Sequence, residues 1–148
     1  MKTALVIFLA INVSLCFAYN VTSAQGHLTP LQQLSENLFT QAMSMYDSEN
    51  VKQAFILYLK AVTVDDKILG KSEKGLIKSA IACLQKELQD TPLNAEDRYL
   101  LAMAYESSGD FQSAFHEYKK IIRNFPDTKF SRLSWEQVNR YLFVKTIN

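Results

Sequence analysis

Glycine and proline are scarce in this chain, four and three in 148 residues. So small a supply of turn formers argues against a fold of many short strands and for a few long helices. Histidine occurs only at His27 and His116, neither with a second His or a Cys at ligand spacing, so no metal is expected. No glycine-rich loop is present to cradle phosphate. No Ser, His and carboxylate set can be assembled from spacing. No cofactor, catalytic residue or small-molecule substrate is therefore expected, and the chain does not read as an enzyme. An excess of one charge sign is missing too. Lys2 is the one charged side chain of residues 1–24, which leaves 15 basic residues against 15 acidic ones over the remainder. Such a surface gives no footing for counterion-release binding to nucleic acid and no polybasic patch for a membrane.

An apolar run of the ~20 residues that a spanning helix needs is also lacking. Ala4 to Leu15 is shorter, is interrupted by Asn12 and Ser14, and follows the positive Lys2. With the small residues of Thr22-Ser23-Ala24 behind it, this segment reads as an export signal. Cleavage is expected after Ala24, with Ala18 as the alternative. An uncleaved anchor and lipidation at Cys16 are the secondary readings, and Leu15 is large where a lipidation box wants a small residue. Each places residues 25–148 outside the cytoplasm, in the periplasm or secreted. Asn20-Val21-Thr22 is a glycosylation sequon that cleavage after Ala24 would remove. Cys83 would then be the sole cysteine of the mature chain, so no internal disulfide can form. It reads as a small apolar core residue or as a partner for an intermolecular disulfide.

Internal similarity carries the most information. At an offset of 34, Gly75 meets Gly109, Ala80 meets Ala114, Leu84 meets Tyr118, Leu88 meets Ile122 and Pro92 meets Pro126. At an offset of 60, Ala54 meets Ala114, Phe55 meets Phe115, Tyr58 meets Tyr118 and Val62 meets Ile122. The shared pattern is helical, since Phe111, Ala114, Phe115, Tyr118, Ile121, Ile122 and Phe125 form one stripe of period 3.6. Start and stop signals bound six helices. Thr29 and Pro30 open the first, which runs to about Tyr46, and Asn50 is placed to cap the second, Val51–Val64. The third spans Ser72–Gln89 and the fourth Ala95–Ser107. Gly109 and Asp110 separate the fourth from the fifth, Phe111–Asn124. The last covers about Lys129–Lys145.

Ala95–Thr128 resembles a complete tetratricopeptide repeat. Leu101, Ala102, Tyr105, Gly109, Phe111, Ala114, Tyr118, Ile121 and Pro126 match that family's residue types at its spacing, while Arg98 stands where a Trp is usual. Ser35–Ile68 resembles a second copy through Leu38, Ala42, Ala54, Tyr58 and Ala61, with departures at Gln41, Met45, Glu49 and Asp66. A middle copy, 61–94, is degenerate. Ala54 to Ala80 is eight residues short of a standard repeat, which leaves a shortened or irregular first helix around Gly70. Phe125 to Ser131 is also similar to periplasmic tetratricopeptide proteins of outer-membrane assembly and the Tol-Pal system.

The resemblance implies an all-α, right-handed solenoid of antiparallel helix pairs, with Lys129–Lys145 as a C-terminal cap. The sharper reading of that last helix is a partner-binding one. The resemblance further implies a protein–protein interaction scaffold with a concave groove lined by first helices. On this chain the groove positions are Phe39, Met43 and Tyr46 in one copy and Tyr99, Met103 and Glu106 in the other. Family members that hold a carboxyl terminus use Lys and Asn there. Aromatic and Met side chains suit an apolar helix or extended segment instead, unless they are simply core. The other functional expectation is an accessory subunit of an envelope assembly, secretion or enzyme complex with no activity of its own.

Overall fold

A computed structural model describes residues 28–71 and 74–147. The expected export segment, Cys16 and His27 lie outside the described residues. The protein is all-α, with no strand among the described residues. Six helices follow in order: α1 Pro30–Asp47, α2 Val51–Val64, α3 Lys74–Asp90, α4 Ala95–Ser108, α5 Phe111–Asn124 and α6 Lys129–Ile147. The segment between α2 and α3 holds a 3-10 turn, Asp66–Lys71, whose Ile68 is buried.

Local chemistry sets the boundaries. Thr29 and Gln32 form a reciprocal capping box at the start of α1, with Pro30 inside it. Asn94 and Asp110 cap α4 and α5 by accepting from the Asp97 and Ser113 amides. Asn50, which the sequence offers as a cap for α2, makes no side-chain cap bond. The turn before α2 is closed by the backbone instead. Glu49 N–H donates to the Tyr46 carbonyl and Asn50 N–H to that of Met45. Gly109 and Asp110 repeat the same pair of bonds onto Glu106 and Tyr105. Both turns need a left-handed residue. Gly109 supplies it at φ 85°, and Glu49 adopts it at φ 62°.

Each helix packs against its neighbour in sequence, and α6 also touches α4. The core is continuous from Ala42 to Val138. Ala42, Ala54, Ala80, Ala102 and Ala114 are fully buried, so that helix backbones approach closely. Tyr46 of α1 hydrogen-bonds Ser79 of α3 at 3.2 Å, while α2, α4 and α6 share one cleft. Alternate helices therefore lie on opposite sides of the stack. Charged groups cross-link it as well. Lys52 of α2 reaches Glu87 of α3 at 2.8 Å and the buried Asp97 of α4 at 2.5 Å. Burial opposes the Lys52 charge, but the hydrogen bonds it donates to the Asp97 and Glu87 carboxylates, together with their negative charge, outweigh it and its pKa is raised. Arg98 donates to Glu117 of α5 at 2.7 Å and to the Pro92 carbonyl at 3.0 Å.

α6 packs on α5 and touches α4, and its Ser131, Ser134, Gln137 and Val138 are buried. Small serines at this face allow close contact. Trp135 and Leu142 of α6 are about half exposed.

Candidate interaction cleft

Six side chains are candidates for one groove, and the structure divides them. Phe39, Met43 and Tyr46 are half-buried on α1, packed against the core. Tyr46 is committed to α3 through Ser79, with its hydroxyl 3.2 Å from where a Cβ on Gly75 would stand. Tyr99 and Met103, by contrast, border a cleft of about 220 Å³ between α2, α4 and α6. No residue of α1 lines that cleft. The connection between α2 and α3 holds only the short turn Asp66–Lys71. In a stack whose helices alternate sides, α1 and α3 lie on one side and α2, α4 and α6 on the other. α1 and α4 carry similar sequences, yet their equivalent residues face different surfaces.

Glu106 serves elsewhere. It accepts from the Tyr118 hydroxyl at 2.9 Å and from Arg140 at 2.8 Å, tying α4 to α5 and α6. Arg140 also bonds Gln137. A carboxylate so engaged is part of the packing.

The cleft wall is largely apolar. α2 contributes Ile56 and Leu59, α4 contributes Tyr99, Leu100 and Met103, and α6 contributes Phe130 and Leu133. Tyr99 is 7% exposed and Met103 4%, so both belong to the core as much as to the wall. The Tyr99 ring lies 5.6 Å from that of Tyr118 and 5.7 Å from that of Phe130, which fixes its orientation. Burial, followed by the nearby Glu106 charge, pushes its phenol up to about 12. Tyr118 is raised well above its ordinary value by the same causes in the same order. Neither hydroxyl is poised for proton transfer at neutral pH.

Polar groups stand at the mouth: Lys60 from α2, Glu96 from α4, Lys129 and Arg132 from α6. The α2 and α6 contributions escaped sequence reasoning, because they meet Tyr99 only through tertiary packing. A charge count at the mouth needs the fold first. Beyond the mouth the surface continues into an open depression between the Thr91–Asn94 loop and the start of α6.

Other reactive groups are few. Cys83 is half-buried, and burial, then the Glu87 carboxylate, pushes its thiol up, which slows attack on a disulfide. His116 is exposed on α5. Among the described residues no three metal-ligating side chains cluster, and no helix is long and apolar enough to cross a membrane. No protein-family model and no curated protein matches the chain.

Proposed function

We propose that this protein is a tetratricopeptide-like interaction scaffold, exported from the cytoplasm, that receives an apolar segment of a partner protein in the α2–α4–α6 cleft. The observation that carries the reading is the cleft itself, walled by Ile56, Leu59, Tyr99, Met103, Phe130 and Leu133. At about 220 Å³ it lies below the ~300 Å³ at which small-molecule pockets begin. It is also too narrow for a whole helix, which is about 10 Å across. It suits one or two large side chains projecting from a partner's surface. Export rests on Lys2, the apolar run to Leu15 and Thr22-Ser23-Ala24.

The test fills the cleft. Leu133 is half-buried at its edge, and Leu133→Trp puts an indole into the space. The mature chain carrying this change is expected to keep its helical circular dichroism and to lose a partner captured by the unaltered protein from envelope extracts. Undiminished capture by a folded Leu133→Trp protein would remove the cleft from the function.

A further inference from the structure

Resting on that reading, we infer that the cleft selects acidic apolar segments, in which one or two large apolar side chains enter the cleft and flanking Asp or Glu residues meet Lys60, Lys129 and Arg132. Three cations stand at the mouth against the single carboxylate of Glu96. Among the described residues none of the three forms an ion pair. Lys52, Arg98, Lys120 and Arg140 are held by carboxylates, while among the described residues Lys67, Lys78, Lys86, Lys119 and Arg123 form no ion pair, like the three at the mouth; what sets those three apart is that they converge on one apolar cleft. Lys129 lies over the Phe130 ring, 4.8 Å from its centroid, which holds the ammonium at the edge of the apolar wall.

The surroundings favour the same sign. α4 and α6 both begin beside the mouth, at Ala95 and Lys129, and the first turn of a helix carries partial positive charge. In α4 that charge is offset by Glu96 and Asp97, but Asp97 is already paired with Lys52. In α6 the first turn has no acidic residue. Next to the mouth Leu93 is 81% exposed, which extends the apolar surface along which a bound segment would run. An acidic flank gains attraction from three sides, whereas a basic flank meets repulsion. Charges on an interface rim act mainly on encounter rate and partner choice, so the preference should weaken with salt.

A random peptide library displayed on phage and selected against the mature protein, residues 25–148, tests this. Selected peptides are expected to pair Leu, Ile, Phe or Trp with Asp or Glu within a few positions. Their synthetic forms should bind at least tenfold more weakly to the triple variant Lys60→Glu, Lys129→Glu, Arg132→Glu. They should also lose about tenfold between 50 and 500 mM NaCl. Circular dichroism of the variant checks that the helices remain, and Lys129→Glu with Arg132→Glu alone serves if the triple change unfolds the chain. Peptides that the Leu133→Trp change displaces but charge reversal leaves untouched would overturn the acidic preference and keep the cleft. Selection of no peptide, or of peptides indifferent to both changes, would overturn the preference and the cleft together.

Discussion

Tyr99 is both an aromatic neighbour of Tyr118 and Phe130 and part of the cleft wall. Truncating it would remove core volume, at a cost of roughly 3 kcal/mol or more by analogy with other large aromatic side chains. Tyr99→Ala therefore cannot separate binding from stability, and Leu133 at the cleft edge is the better probe. The same burial gives a pH signature. With its folded pKa raised from 10.0 to about 12, Tyr99 holds its proton more tightly in the folded state. Its contribution is complete below pH 10 and is lost as pH rises toward 12, on the order of 2 kcal/mol from this group. Denaturant titrations at pH 9 and pH 11.5 should show lower stability at the higher value. Tyrosinate absorbance should develop in two phases, the later one coinciding with unfolding. A single phase near pH 10 in the folded protein would contradict this burial. Glu49 offers an independent check. Its left-handed φ of 62° costs a residue with a Cβ about 1–2 kcal/mol, partly offset in glycine by greater unfolded-state entropy. Glu49→Gly is expected to stabilise the protein by about 0.5–1 kcal/mol, read as a higher denaturant midpoint. A lower midpoint would mean that the turn is not shaped this way.

At the level of helices, the packing turns on alanines. Ala114 and Ala80 are fully buried at corresponding places of α5 and α3. Leucine at either position should overpack the contact and cost roughly 1–3 kcal/mol, seen as a lower melting temperature. Neutral melts for both variants would dismiss the close crossings. These positions were legible in the sequence, since glycines, prolines and alanines recur together at an offset of 34. The helix boundaries were legible for a related reason, as Thr29, Pro30, Gly109 and Asp110 act on their own few neighbours. Local chemistry was less decisive at Asn50, where the Glu49 backbone closes the turn without help from the Asn side chain. The ion pair of Arg98 could not be foreseen either, because its partner Glu117 is nineteen residues away along the chain.

For the whole molecule, a single shortened connection decides which surface each helix presents. An irregular connection before Ala80 was legible in the sequence, but its consequence for which helices meet was not. With Asp66–Lys71 reduced to a 3-10 turn, α4 joins α2 and α6, and the groove positions of α1 and α4 are separated. The cleft is thus a product of topology. Its wall combines Tyr99 and Met103 with residues from two helices that share no motif with them. The most direct measurement is photo-crosslinking in the producing cell, with benzoylphenylalanine placed at the exposed Leu93 beside the mouth in one sample and at Met43 of α1 in another. A discrete adduct to one partner is expected from position 93, abolished by the Leu133→Trp change, with none from position 43. An adduct from position 43 with none from position 93 would contradict the cleft as the binding site.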